Sequence, residues 1–145
     1  MTDRAEVAAG LYRSLAEGNR GDILSRLHPT FSGHTTAGLP LGLGGVYGSP
    51  QTMLRDFWGQ IARSWIAAAY PSEYLPLDDD RLLVRGVYRG RGKKSGTEFD
   101  AEFVHILRFD GDRIVELTQL TDSARWAHAL EPETNGSETN MEDGR

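Results

Sequence analysis

Two runs of alternating apolar and polar residues flank Asp110-Gly111-Asp112 in the last third of the chain. An Asp-Gly pair between such runs is a strong signal for a tight turn, so the pattern predicts a β-hairpin across residues 98–122. Strand side chains alternate between two faces. One face of the first run therefore carries Phe99, Ala101, Phe103, His105, Leu107 and Phe109. This places one imidazole on an otherwise apolar surface and makes His105 and Phe103 candidate pocket residues.

Helical spacing dominates the N-terminal part of the chain. A capping residue, Asp3, precedes apolar residues at four-residue steps that run up to Gly18, which predicts a helix over residues 4–17. A short second helix is expected over residues 22–27 and is ended by Pro29.

The third predicted helix starts at Ser49-Pro50, where a capping residue is followed by a proline in the first turn. Its apolar residues recur at three- and four-residue steps, which is the strongest amphipathic pattern in the chain. They are Leu54, Phe57, Trp58, Ile61 and Trp65. Such a stripe is typical of a core or of a cavity wall, so Trp58 and Trp65 are candidate substrate-binding residues.

Further strands are indicated between the helices and the hairpin. They are expected over residues 31–36, 66–74 and 81–91, with a hairpin turn over 92–96. Because Pro71 interrupts the second of these, that strand is expected at a sheet edge or at a bulge. The carboxylates of residues 78–80 lack the spaced ligands of a calcium loop and indicate a polar turn.

Residues 38–48 form a glycine- and leucine-rich segment. The segment lacks the spaced glycines and the lysine of a phosphate-binding loop. Two interpretations remain open, a lid over a pocket and a plain irregular connection. Tyr47 is a candidate substrate-binding residue in the first of them.

Composition limits the possible functions. The 145 residues suit one domain over 1–130, and the net charge is -5. Residues 131–145 hold five carboxylates and one arginine, a net of -4, and are expected to be a disordered acidic tail. The remaining charge of about -1 gives no basic footprint for nucleic acid. The absence of cysteine excludes disulfides and thiolate metal sites.

The N-terminus shows neither a secretion leader nor a membrane span, so we expect a cytoplasmic protein without a membrane partner. The order of elements predicts an α+β cone. In this cone, three N-terminal helices pack on a strongly curved mixed or antiparallel sheet, with an apolar cavity between them.

Three segments resemble the SnoaL-like, ketosteroid-isomerase-related branch of the nuclear transport factor 2-like superfamily. They are residues 45–48, 96–105 and 110–122, and the resemblance spans about residues 5 to 130. It implies that Asp122, at the end of the last strand, acts as the acid/base, with His105 nearby. A carboxylate at the mouth of an apolar cavity has a raised pKa and can exchange a proton with a carbon acid. The imidazole can polarise a carbonyl or hold an enolate oxygen.

Other roles remain open for these residues. Asp122 directly precedes a helical segment and can also cap it, a role that is compatible with facing a cavity. His105 can be a satisfied core histidine. His34 and Gln119 are further candidate substrate-binding residues. Gln119 and Asp122 can face the same cavity only if a β-bulge shifts the register.

The resemblance also has departures. Steroid isomerases of this superfamily carry a tyrosine on the first helix, where this chain aligns Leu11, with Tyr12 one residue away. Their early-strand aspartate is replaced near His34. The epoxide-hydrolase branch requires an Asp-Arg-Asp triad, for which Asp122, Arg89 and Asp100 are the available residues. Asp100 is expected on the face opposite His105, which disfavours this branch.

Two functions are consistent with the sequence. The first is a cofactor-free, metal-free enzyme of the cyclase or isomerase type that acts on a small apolar carbonyl compound. The second is a non-catalytic module that binds a small ligand or assembles with a partner. The resemblance also implies a homodimer through the outer face of the sheet, with Val87, Val104 and Ile106 as apolar contacts.

Overall fold

A computed structural model describes residues 3–132, so most of the expected acidic tail lies outside the described residues.

The first two helices begin beside capping side chains. Helix α1 (Arg4–Glu17) has the predicted bounds: the Asp3 carboxylate accepts a hydrogen bond from the Ala5 N–H at 2.9 Å, and the left-handed Gly18 ends the helix. Helix α2 (Arg20–Ser25) starts two residues before the predicted position, because the Asn19 side chain caps it.

The third helical stretch is composite. Helix α3 (Pro50–Thr52), a π-helical segment (Met53–Trp58) and helix α4 (Gly59–Ser64) follow one another without a break. The Gly59 N–H donates to the carbonyl of Leu54, one residue farther than in an α-helix. The prediction that Trp65 lies on this helix is wrong, because its φ of -133° and ψ of 158° are extended and it opens a strand.

The sheet has six strands in the order β2-β1-β6-β5-β4-β3. The β1–β6 pair is parallel and the other pairs are antiparallel, so the predicted α+β architecture with a curved mixed sheet is confirmed. The strands are β1 (Leu27–Thr35), β2 (Gly45–Tyr47), β3 (Trp65–Pro76), β4 (Arg81–Gly92), β5 (Glu98–Asp110) and β6 (Arg113–Thr121). Strand β1 starts earlier than predicted because its register shifts between Leu27 and Ser32, which accommodates Pro29.

Strand β3 lies at the edge of the sheet and its register shifts between Pro71 and Glu73, so the expected edge position and bulge are both confirmed. The glycine-rich segment contains a 3₁₀ turn (Pro40–Gly42) and strand β2, which pairs with β1. After β6, helix α5 (Ser123–His128) packs against β5.

The β5–β6 hairpin contains a bulge that determines which residues face inward. Arg108 pairs with Glu116 while Phe109 pairs with Ile114, so Val115 is the extra residue. Because of this shift, Ile114, Leu117 and Gln119 are all buried on the inner face. The bulge that the sequence leaves open therefore exists, but it lies before Gln119 and not between Gln119 and Asp122.

The outer face of the sheet carries Val87, Val104 and Ile106, which alternate with the buried residues of β4 and β5. Pairing of two copies through this face stays a prediction. Within residues 3–132, no helix has the length and apolar character needed to cross a membrane.

Candidate functional site

A cavity of about 260 Å³ lies between the helices and the inner face of the sheet. Its walls are mostly apolar and unusually rich in aromatic rings. The aromatic lining residues are Tyr12, Phe57, Trp58, Trp65, Tyr88 and Trp126. The π-helical segment contributes four of its six residues to the lining, namely Met53, Leu54, Phe57 and Trp58. The cavity can therefore hold a flat apolar molecule.

A continuous chain of hydrogen bonds runs along one wall of the cavity. The Tyr12 hydroxyl lies 2.9 Å from His105 Nδ1, and the Tyr88 hydroxyl lies 2.6 Å from His105 Nε2. The Gln119 amide Nε2 donates to the Tyr88 oxygen at 3.1 Å. The four side chains come from α1, β5, β4 and β6, and we call them the Tyr-His-Tyr-Gln relay.

The orientation of the Gln119 amide is fixed by its second partner. The backbone N–H of Thr36 donates to Gln119 Oε1 at 3.4 Å, and an N–H group needs an oxygen acceptor. The amide nitrogen must therefore face Tyr88. This gives the Tyr88 oxygen one permanent donor.

The relay is uncharged. Burial lowers the pKa of His105 to about 3, so its imidazole is neutral near pH 7. Burial also raises the pKa of Tyr88 and, together with nearby Tyr88 and Tyr74, that of Tyr12. The inner wall therefore offers neutral hydrogen-bonding groups to a ligand.

Counting protons in the relay leaves one tyrosine O–H unused. A neutral imidazole has one N–H and one bare nitrogen, so one tyrosine donates to it and the other accepts from it. If Tyr88 donates to Nε2, then Nδ1–H donates to Tyr12 and the Tyr12 proton is free for a ligand. In the other tautomer Tyr12 donates to Nδ1 and the Tyr88 proton is free. Either tautomer of His105 leaves one hydroxyl donor on the cavity wall.

Phe103 supports the relay from behind. Its ring stacks on His105 at a centroid distance of 4.3 Å and contacts Tyr88 at 4.6 Å. Phe103 is itself buried, but it does not line this cavity. Phe103 is therefore not placed to contact a substrate. It packs against His105 and Tyr88 and holds them in position.

Among the other predicted substrate-binding residues, Trp58, Trp65 and Gln119 line the cavity. Trp65 also donates from its indole N–H to the Trp126 carbonyl at 3.3 Å. Tyr47 does not line the cavity: it donates to the Leu43 carbonyl at 2.8 Å and packs on Phe57. With Tyr47, the whole glycine-rich segment lies outside the cavity wall, so its placement fits a connection and not a lid.

Asp122 and His34 lie away from the cavity. The Asp122 side chain is half exposed and lies 3.8 Å from Arg125 Nε, so the prediction that it shares a cavity with His105 is wrong. The physical reason is strand parity, since Gln119 already faces inward and no bulge follows it. Asp122 is the N-cap residue of α5, although its side chain makes no capping hydrogen bond. His34 lies 3.5 Å from Glu116 and is also partly exposed.

The residues of an Asp-Arg-Asp triad do not meet in the cavity either. Asp100 accepts a hydrogen bond from Arg125 at 3.2 Å, and Arg89 lies over the ring of Tyr70 on the outer face. Within residues 3–132, no aspartate or glutamate lines the cavity and no three His, Asp or Glu side chains are grouped to hold a metal ion.

Sequence reasoning missed Tyr12 and Tyr88 as site residues. Both signals were present: Tyr12 extends the apolar face of α1 beside Ala8 and Leu11, and Tyr88 continues the inward alternation of β4 after Val84. The sequence aligned Leu11 with the tyrosine of steroid isomerases, whereas Leu11 and Tyr12 both line the cavity.

The fold and the cavity define a class of protein, an α+β cone with a largely apolar internal cavity. More specifically, the chain has the nuclear transport factor 2-like fold, shared by SnoaL-like and ketosteroid-isomerase-like proteins. No protein-family model and no curated protein sequence matches it.

Three solved structures illustrate the similarity. An NTF2-like protein from Burkholderia thailandensis E264 is 22% identical with a TM-score of 0.80, over 91% of this chain and 100% of that one. TerC, co-crystallised with polyporic acid, is 19% identical with a TM-score of 0.78, over 88% and 97%. IdmH from Streptomyces antibioticus, a candidate polyketide cyclase, is 17% identical with a TM-score of 0.76, over 89% and 99%. At these identities the similarity establishes the fold.

Proposed function

We propose that the protein is a small-molecule enzyme that binds an apolar aromatic ketone and polarises its carbonyl group. The observation that carries the proposal is the Tyr-His-Tyr-Gln relay, because it leaves one neutral O–H donor on an aromatic cavity wall. A hydrogen bond to the carbonyl oxygen stabilises the charge that develops there during enolisation. Among the structural neighbours, a candidate polyketide cyclase supports carbonyl chemistry, and a protein crystallised with polyporic acid supports ligand binding.

The proposed reaction differs from the one that the sequence resemblance implies. Within residues 3–132 no carboxylate faces the cavity, so Asp122 is not the acid/base in this proposal. The proton on the carbon beside the carbonyl passes to a base from solvent that enters the cavity and reaches the ligand at the relay. The tyrosine O–H donates its hydrogen bond to the oxygen that gains the electron pair. His105 is a positioning residue, since it decides which tyrosine carries the free proton.

A second candidate function is ligand binding without chemistry. It is favoured by the low pKa of His105, about 3, which makes the imidazole a weak base at neutral pH. Hydrogen exchange at the carbon beside a bound carbonyl distinguishes the two functions.

The binding part of the proposal is tested with benzophenone and diphenylmethane, which differ by a carbonyl oxygen. By calorimetry, the wild type is expected to bind benzophenone about fivefold more tightly, since one hydrogen bond contributes about 1 kcal/mol. Tyr12→Phe and Tyr88→Phe should each keep part of this preference, because the remaining tyrosine supplies the donor. The double variant should keep the smallest preference, because only the His105 N–H and the Gln119 amide, both set farther back, then remain as donors.

The non-additive pattern is the decisive feature of this experiment. Circular dichroism checks that each variant is folded, and Tyr47→Phe serves as a matched control outside the cavity. A double variant that prefers benzophenone as strongly as the wild type does would show that another group binds the carbonyl. A wild type that binds neither compound would refute the proposal.

A further inference from the structure

We infer that the substrate carries an anionic group, a carboxylate on the aromatic ketone, and that Arg20 binds it at the cavity mouth. This inference rests on the proposed function, because it places the ketone at the relay and the anion at the opposite end. Arg20 is the one charged side chain on the cavity wall within residues 3–132. A single cation on an otherwise neutral wall fixes the orientation in which an anionic ligand binds.

The opening of the cavity is formed by small and exposed residues. Ala16, Gly18, Arg20 and Ala62 are the lining residues with the greatest exposure, and they lie at the end of α1, the start of α2 and on α4. Because Gly18 and the two alanines offer little bulk, a ligand can pass between these helices. The guanidinium of Arg20 is the functional group at this opening.

The charge of Arg20 is not neutralised by neighbouring carboxylates. Asp22, two residues from Arg20 in the chain, is held by Ser14 and by Arg26 Nε at 2.7 Å. Glu17 makes no ion pair with Arg20, and the Arg20 side chain bonds no other residue in the described part of the chain. The guanidinium, with its planar set of donors, is therefore available to a carboxylate.

The relay and the mouth are separated along helix α1, so the ligand must carry its ketone and its anionic group at opposite ends. Tyr12 and Gly18 lie on the same helix and its end, about 9 Å apart along the axis at ~1.5 Å per residue. A benzene ring that carries a ketone and a para carboxylate is the smallest rigid aromatic unit that presents both groups at opposite ends. The predicted substrate class is thus an aryl ketone acid.

The test uses 4-benzoylbenzoic acid and its methyl ester, two molecules with the same ketone and different charge. Calorimetry with the wild type is expected to show about tenfold tighter binding of the acid. Arg20→Gln should remove this preference by weakening the acid and leave the ester within twofold. Arg20→Lys should keep part of the preference, and added salt should weaken the acid alone.

Arg63→Gln is the matched control, since Arg63 is an exposed arginine of α4 that does not line the cavity. It should leave the preference for the acid unchanged. Equal binding of acid and ester by the wild type, or a preference that survives Arg20→Gln, would overturn the inference and leave the proposed function standing. Failure of the ester and of benzophenone to bind would instead refute the proposed function, and the inference with it.

Discussion

The wild-type protein should lose about 2 kcal/mol of folding stability between pH 7 and pH 5 that a His105→Gln variant does not lose. Burial holds the pKa of native His105 at about 3, whereas an unfolded histidine titrates near ~6.5. Between these values the unfolded chain binds the additional proton. The contribution is therefore complete above pH ~6.5 and is lost at ~1.4 kcal/mol per pH unit as the pH falls toward 3.

Urea unfolding at several pH values gives the free energy of unfolding of the wild type and of His105→Gln. Both proteins contain the same carboxylates, so the difference between these free energies reports the titration of His105. His34→Gln is the control, because it removes a histidine that is partly exposed and not part of the relay. It should keep the His105 hydrogen bonds to Tyr12 and Tyr88, and with them the loss of stability that is assigned to His105. An identical pH dependence in wild type and His105→Gln would show that His105 is not held neutral. It would contradict the inference that one tyrosine O–H in the relay is free for a ligand.

Replacing Gly90 by alanine should lower the free energy of unfolding by about 3 kcal/mol, because it forces two strands apart. A Cβ at Gly90 would overlap the carbonyl oxygen of Ile66 and lie 2.6 Å from the Cα of Ala67 on strand β3. Gly86, four residues earlier, is crowded by the backbone of the same strand. These two glycines allow the backbones of β3 and β4 to lie unusually close together. Strand β3 supplies Ala67 and Ala69 to the cavity wall.

Gly21→Ala is the matched control for this substitution. Gly21 lies in helix α2 and a Cβ there meets nothing within 4 Å. The change should be neutral or stabilising by up to ~1 kcal/mol, since alanine is the better helix former. Equal urea midpoints for Gly90→Ala and the wild type would show that the close approach of β3 and β4 is not required.

Local patterns predicted the elements that depend on local physics. The Asp3 cap, the left-handed Gly18 and the turn after Asp110 are decided by neighbours in sequence, and each lies where expected. The start of β1 and the bulge at Val115 depend on pairing with a distant strand. Alternation within one segment cannot reveal such a shift.

The site was harder to predict because its parts come from four different elements. Alternation correctly indicated that His105 is buried, yet its two partners, Tyr12 and Tyr88, are 93 and 17 residues away in the chain. The placement of Asp122 depended on whether a bulge follows Gln119, which the residues themselves left open. Tertiary packing decided both points.

Enolisation of a bound ketone is the most direct test of the proposed function. Deoxybenzoin has hydrogens beside its carbonyl, and proton NMR in heavy water follows their replacement by deuterium. The wild type should accelerate this exchange over buffer about a hundredfold, the scale of one well-placed donor to an oxyanion, and the Tyr12→Phe/Tyr88→Phe variant should not. Tight binding of deoxybenzoin by the wild type with exchange at the buffer rate would contradict the proposed chemistry and identify the protein as a ligand-binding module.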